Sequence, residues 1–348
     1  MNASAADIAA TLLRLAPGYA ATPLLDLPKL AARLGVAQVR AKDEGRRMLG
    51  SFKSLGGTYA GLKALARVAG TDIAGLLRDR PRVPALICAS DGNHGLAVAA
   101  AARFAGAPAR IFLHAGVPAV RARRIEQQGA DIAWVDGTYD DAVDAAAAAA
   151  RAGAGILVAD TAADAADPVV RDVMAGYGVI AHEVRQQLEG PRPTHLFVQA
   201  GVGGLAAALT QGLRDFLAPP AMIVAVEPEA CACLAAAMSR GAVVRIAGDL
   251  HTAAEMLSCG EASAPAFTIL RDAGARIMTV SELELEQAPR LLREAGAPAT
   301  TPSGAAGLAG LAGVVAAEQH HDFALTAQSR VLAVISEGAL NADEDAQP

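Results

Sequence analysis

Short runs of Val, Ile and Leu alternate along the chain with longer amphipathic stretches rich in Ala and Leu. The short runs predict strands at 85–89, 109–113, 131–135, 156–159, 195–199, 222–226 and 331–335. Their β-branched, continuously apolar character suits a sheet buried on both faces. The longer stretches predict helices at 58–68, 95–105, 119–128, 139–152, 167–187 and 205–216, each after a strand or a turn containing Gly, Asp or Ser. Strand and helix in turn make an α/β chain with parallel sheets the expected architecture. The alanine run at 145–150 follows Asp140, Asp141 and Asp144 and precedes Arg151, the polarity that a helix dipole favours, so it reads as helix rather than as low complexity. The sharpest break is Glu189-Gly190-Pro191-Arg192-Pro193, which cannot continue a helix and leads into an apolar strand; a domain hinge is expected near it. No repeat of 20 to 50 residues is visible. The acidic tail at 341–348 is expected to fray.

Composition narrows the function classes. At ~150 residues per domain, 348 residues suggest about two domains, and 53% hydrophobic against 19% charged residues is enough to order a large globule. A net charge of -6 with no Lys/Arg stripe argues against nucleic acid as a partner. No stretch supplies the ~20 uninterrupted apolar residues of a membrane span. The first residues carry Asp7 and lack the basic-then-apolar order of a signal peptide, so a soluble cytoplasmic protein is expected. Cys88, Cys231, Cys233 and Cys259 are too few and irregular for a disulfide framework and lack zinc-knuckle spacing; reduced thiols and no metal site are expected.

Three segments carry candidate chemistry. In Gly50-Ser51-Phe52-Lys53-Ser54-Leu55-Gly56-Gly57, a lysine stands before two glycines and a helix. It is either a solvated surface residue or the amine that holds an aldehyde cofactor, with a Ser/Gly-rich turn admitting the ring. In Ser90-Asp91-Gly92-Asn93-His94-Gly95, a loop after a parallel strand opens a helix, where backbone N–H groups and the helix dipole suit a substrate carboxylate. Asn93 can donate to a phenolate oxygen, Asp91 can act as base, turn-former or cap, and His94 reads as packed beneath the loop. In Gly201-Val202-Gly203-Gly204-Leu205, glycines at another strand–helix junction form an anion cradle. The spacing does not match G-x-G-x-x-G, and Glu227 alone supports a dinucleotide reading, so a cofactor with a single phosphate fits better.

In this order the three segments resemble the fold-type II pyridoxal-phosphate enzymes, the tryptophan synthase β-like group that includes threonine dehydratase. Within it the chain is most similar to the 2,3-diaminopropionate ammonia-lyases. That likeness runs from Thr22-Pro23-Leu24 through Lys42-Asp43-Glu44, Phe52-Lys53, Ser90 to Gly95, Gly137-Thr138-Tyr139-Asp140-Asp141, Asp160-Thr161, Met174-Ala175-Gly176-Tyr177, Val226-Glu227-Pro228, Ser258-Cys259-Gly260-Glu261 and Ser303-Gly304-Ala305 to Ser336-Glu337-Gly338. Asp91, where plain serine/threonine dehydratases usually carry serine, and Asp160-Thr161 with 174–177 discriminate most.

The resemblance implies two domains, each an open, mostly parallel sheet flanked by helices, with pyridoxal 5'-phosphate in the cleft between them. Residues 1–70 and 186–348 would form the large cofactor-binding domain and 71–185 the smaller substrate-side domain. Lys53 would hold the cofactor and move protons, Asn93 would meet the ring hydroxyl, Gly201, Val202, Gly203 and Gly204 would bind the phosphate, and Ser336 would face the ring nitrogen. Asp91 and Asp160 would be the acidic residues around the substrate, with Ser90 and Tyr139 lining the same pocket. The implied reaction removes ammonia from 2,3-diaminopropionate and yields pyruvate and a second ammonia, in a homodimer. Competing readings are β-elimination or β-replacement on serine or threonine, a regulatory protein that keeps the scaffold without turnover, and, more remotely, an NAD-dependent dehydrogenase. The chain departs from the family pattern at Ser336-Glu337-Gly338-Ala339-Leu340-Asn341, at Thr301-Pro302-Ser303, which lacks a glutamate, and at Ala162-Ala163, which stand where an aromatic is expected. An altered substrate pocket is therefore expected.

Overall fold

Strands buried on both faces need helices on both sides, and the computed structural model, which describes residues 3–90 and 92–339, builds two such sheets. The tail at 341–348 lies outside the described residues. The strands are β1 (Leu24–Asp26), β2 (Gln38–Asp43), β3 (Leu86–Ala89), β4 (Ala109–His114), β5 (Asp131–Val135), β6 (Ile156–Leu157), β7 (His195–Gln199), β8 (Met222–Pro228), β9 (Arg276–Val280) and β10 (Arg330–Ile335). One sheet runs β1-β2-β10-β7-β8-β9 and the other β5-β4-β3-β6. Among the described strands only β1 is antiparallel to its neighbour, with Leu24 opposite Lys42. The central strand is β10, paired with β2 from Arg330–Gln38 to Ile335–Asp43 and with β7 through Val331–His195 on its other side.

All seven expected strands are present, with ends shifted by a residue or two at most positions; β1, β2 and β9 were not foreseen. The six expected helices are present as Lys53–Val68, Asn93–Ala105, Ala119–Glu126, Tyr139–Arg151, Pro168–Gln187 and Gly204–Leu213. The first corrects the reading of Gly56-Gly57 as a turn. Both glycines lie inside the helix, where a Cβ on Gly56 would stand 2.5 Å from the Val173 carbonyl oxygen and one on Gly57 would stand 2.6 Å from the Ala97 methyl. They are there so that Lys53–Val68 can press against Pro168–Gln187 on one side and Asn93–Ala105 on the other. Asn93–Ala105 packs on β3 and β4, and Pro168–Gln187 packs on Gly204–Leu213 beside β7, so one apolar core connects the two sheets. A second core fills the other face of the larger sheet under Pro302–Ala316 and Glu282–Glu294.

Between the end of β2 and Pro168–Gln187 lies a cluster of buried charge. The Arg47 guanidinium donates to both carboxylate oxygens of Glu44 at 2.7 and 2.8 Å, to both of Glu183 at 2.8 and 2.7 Å, and to the Ala20 carbonyl at 2.8 Å. Lys42 Nζ meets Glu183 at 2.6 Å and donates to the Thr22 carbonyl at 2.6 Å and to Gln187 Oε1 at 2.9 Å. The break at 189–193 is anchored by Arg40, which donates to the Glu189 carbonyl, and by Arg330, which donates to that of Arg192.

Candidate active site

In open parallel sheets the carboxyl ends of the strands bound the ligand crevice. Here the carboxyl ends of both sheets open on a single cleft. Ser90 follows β3, Asp160 follows β6, Gly201 to Gly204 follow β7 and Ser336 follows β10. Lys53, Asn93 and Gly204 are the first residues of their helices, so three helix N-termini, each with a partial positive charge, border the same space.

Lys53 Nζ donates to Asp160 Oδ2 in a close ion pair. The lysine side chain is 20% exposed and the carboxylate 9%. Burial opposes the charge on both, and the mutual attraction outweighs it: the Lys53 ammonium is held well above its usual range and the Asp160 carboxyl well below its own. Phe52 stacks at an angle on Tyr177, ring centroids 4.8 Å apart, and burial pushes the Tyr177 phenol up. Tyr177 Oη, Gln199 Oε1 and His94 Nδ1 are buried without a hydrogen-bond partner on residues that line the cleft. Buried polar atoms in folded chains are nearly always paired, so three such atoms around one cleft mark a place built for a ligand.

The glycine loop fits an anion. Gly203 has φ 94, a left-handed conformation that favours glycine. A Cβ there would press on Leu234 and Ala266 at 3.1 and 3.2 Å, and one on Gly201 would meet Cys259 Sγ at 3.1 Å. The Cys233 thiol donates to the Gly201 carbonyl at 3.5 Å and steadies the loop. The opening N–H groups of Gly204–Leu213 have no intrahelical acceptor and face the cleft that the loop lines. Glu227 does not serve this loop as a ribose-binding acid; it caps the Cys233–Arg240 helix by accepting from the Leu234 and Ala235 N–H groups at 2.7 and 2.9 Å, and burial pushes its carboxyl up to about 7.

Of the residues singled out in the sequence, Lys53, Ser90, Asn93, Tyr139, Asp160, Gly201, Val202, Gly203, Gly204 and Ser336 all line this cleft. Asp91 lies outside the described residues. Ser90 also shapes the loop, since its Oγ accepts from the Gly92 and Gly95 N–H groups at 2.9 and 2.8 Å. His94 is buried beneath the loop and donates from Nε2 to the Val158 carbonyl at 2.7 Å. Glu337 was quoted in the sequence but given no role. It is buried in the cleft wall, accepts from Asn93 Nδ2 and Thr301 Oγ1, and pairs by its backbone with Ser51. Tyr177 was likewise marked only as part of a resembling motif; its phenol is at the cleft because Gly56 leaves room for it.

Comparisons with known proteins agree with this geometry. The family model described as pyridoxal-phosphate dependent enzyme matches residues 15–337. A diaminopropionate ammonia-lyase from Salmonella typhimurium is 32% identical, the match covering 94% of this chain and 87% of the relative. The crystal structure of the Escherichia coli diaminopropionate ammonia-lyase in complex with an aminoacrylate-PLP azomethine reaction intermediate superposes with a TM-score of 0.86 at 29% identity, covering 98% of this chain and 89% of that one. An L-threonine dehydratase from Corynebacterium glutamicum is 28% identical over 70% of this chain and 52% of the relative.

Proposed function

The chain belongs to the pyridoxal-phosphate dependent enzyme family, and from that premise we propose that it is a lyase that eliminates ammonia from 2,3-diaminopropionate. Pyridoxal phosphate is its cofactor, and when bound it supplies an electron sink for the charge left at the substrate's α-carbon. The residues present fit that group: an amine at Lys53, an anion cradle at Gly201 to Gly204, and unpaired buried polar atoms on Tyr177 and Gln199 between them.

Lys53 carries the cofactor through its amine and takes or returns the α-proton. Gly201, Val202, Gly203 and Gly204 hold the phosphate through backbone N–H groups and the helix dipole. Asn93, which donates to Glu337, would hold the ring hydroxyl, and Ser336, just after β10, would hold the ring nitrogen. The loop from Ser90 receives the substrate carboxylate, and Tyr139 closes the pocket from the Tyr139–Arg151 helix. Asp91 and Asp160 hold the side-chain amine, the first taking and returning a proton there.

One observation favours diaminopropionate over serine. Asp160 is buried, strongly acidic and ion-paired with Lys53. With its amine taken up by the cofactor, Lys53 would leave this carboxylate without its cation towards an incoming substrate, and a buried carboxylate without a partner is costly. The β-ammonium of diaminopropionate replaces the missing charge; the hydroxyl of serine or threonine does not. The same reading extends to the domain division, with 1–70 and 186–348 holding the cofactor and 71–185 bringing the substrate side, and to a homodimer in the cytoplasm. Among the described residues no helix is long and apolar enough to cross a membrane. Sedimentation at twice 35.2 kDa is the expected result for the dimer.

Mass spectrometry after incubation with a panel of β-substituted amino acids tests the activity. Pyruvate and two equivalents of ammonia are expected from diaminopropionate, and Asp91→Asn is expected to lower that turnover ~100-fold while the cofactor spectrum stays intact. Turnover of serine or threonine alone would overturn the assignment.

A further inference from the structure

Behind the catalytic cleft lies a second cavity of about 340 Å³. Tyr139, Val202 and Cys259 border both. The chain after β6 separates them: Asp160 lines the cleft, while its neighbours Ala159, Thr161, Ala162 and Ala163 line the cavity. The rest of the lining is largely small and apolar, with Ala147 and Leu157 opposite Val169. At its rim Arg245 Nε donates to Glu261 at 3.1 Å and stands 3.8 Å from Asp140 Oδ2, so two carboxylates share one guanidinium. With Asp167 also in the lining, three carboxylates stand against one guanidinium, and an apolar floor with that excess of negative charge is complementary to an ammonium bearing a hydrocarbon group.

Resting on the diaminopropionate reading above, we infer that this side pocket receives the leaving amine and admits amines with a hydrocarbon substituent, so that 3-(alkylamino)-2-aminopropionates are substrates. The position decides this. The carboxylate that would hold the β-nitrogen is on the segment whose flanking residues form the pocket wall, and Tyr139, Val202 and Cys259 are common to both spaces, so a substituent on that nitrogen would enter the apolar space beside Tyr139. Leu, Phe or Tyr in place of Ala162 would fill it; alanine leaves it open. In the reaction the Cα–H and Cβ–N bonds break, the electrons of the first form the Cα–Cβ double bond, and those of the second leave on the amine, which takes up a proton. One water then displaces the α-nitrogen as ammonia and gives pyruvate, so substrate plus water yields substituted amine, pyruvate and ammonia.

The test uses the holoenzyme with 3-(benzylamino)-2-aminopropionate, diaminopropionate, and N,N-dimethylbenzylamine, a cation that cannot condense with an aldehyde. The wild-type protein is expected to release benzylamine and pyruvate and to bind dimethylbenzylammonium by calorimetry. Ala162→Phe is expected to lower kcat/KM for the benzyl substrate and the affinity for the amine at least about tenfold, in the range that filling a pocket commands, with diaminopropionate turnover held within about twofold. Ala163→Phe, at a more exposed position of the same wall, repeats the test should Ala162→Phe fold poorly. If diaminopropionate is turned over but the benzyl compound is not, or if the variants lower both substrates equally, the inference is overturned. If neither substrate reacts, the activity assignment fails instead, and loss of dimethylbenzylammonium binding in the variants still decides for or against the pocket.

Discussion

The molecule holds two clusters of opposite charge in its interior, and they differ in what is left over. Around Arg47, two cations face two carboxylates, and the remaining guanidinium N–H ends on the Ala20 carbonyl at 2.8 Å, with the Tyr19 carbonyl and Thr22 Oγ1 as more distant acceptors at 3.3 Å. Arg47, Lys42 and Glu44 are fully buried. Around Lys53, one ammonium meets one carboxylate, and Tyr177 Oη, Gln199 Oε1 and His94 Nδ1 remain unpaired beside an open cleft. The first cluster is complete and fastens the segment before β1 to the Pro168–Gln187 helix; the second is incomplete and so can exchange partners. Buried charge alone therefore does not mark the reactive place. Unmet hydrogen-bonding capacity facing a cavity does.

The contrast can be broken at several points. Lys53→Ala should lower turnover by about 10⁴-fold and abolish retention of the cofactor's absorbance, while the urea midpoint falls less than in an Arg47 variant, because one buried carboxylate rather than two is left short of a cation. A stability loss equal to that of an Arg47 variant would erase the distinction. Arg47→Met should do the reverse. Leaving Glu44 and Glu183 short of a cation should cost about 3–5 kcal/mol, measured as a lower urea midpoint, with turnover per folded molecule little changed. The Arg47 and Lys42 charges hold the Glu183 carboxyl below its ordinary value despite burial. Its contribution to stability is thus present above the unfolded carboxyl pKa and is lost as pH falls through the depressed folded one, a slope on the acid side that Arg47→Met should flatten. Asp160→Asn sharpens the comparison with the smallest expected change, ~100-fold in diaminopropionate turnover with cofactor absorbance retained. An equal loss on serine would show that the carboxylate does not discriminate by charge.

Much of this could be read in the chain. The buried parallel strands announced themselves by continuous apolar runs, the glycine loop and Asn93 by their positions after strands, and Lys53 by the glycines and helix that follow it, whereas Asp160 was marked only by the family resemblance. What escaped did so for physical reasons. Strand β2 reads Gln38-Val39-Arg40-Ala41-Lys42-Asp43, polar enough to pass for a surface segment, because Lys42 is neutralised inside rather than in water. Helix Pro302–Ala316 has no polar face because it is buried nearly all round, so its pattern lacks the helical period. Gly56-Gly57 resembled a turn because close helix packing and turn geometry both call for glycine. Glu337 was hidden because its hydrogen-bond partners, Asn93 and Thr301, are distant in sequence.

The position of β10 also governs when the molecule can come into being during synthesis. Strands β3 to β6 are contiguous in the chain, and their sheet can pair as soon as residue 157 has emerged. In the larger sheet β10 separates β2 from β7, so residues 38–43 and 195–199 present unpaired edges to other nascent chains until residues 330–335 leave the ribosome. Such edges are templates for aggregation. A translational pause or premature stop before residue 330 would thus leave a half-built protein that is not merely inactive but adhesive, and the cofactor could not rescue it, because Ser336 and the strand that carries it would not yet exist.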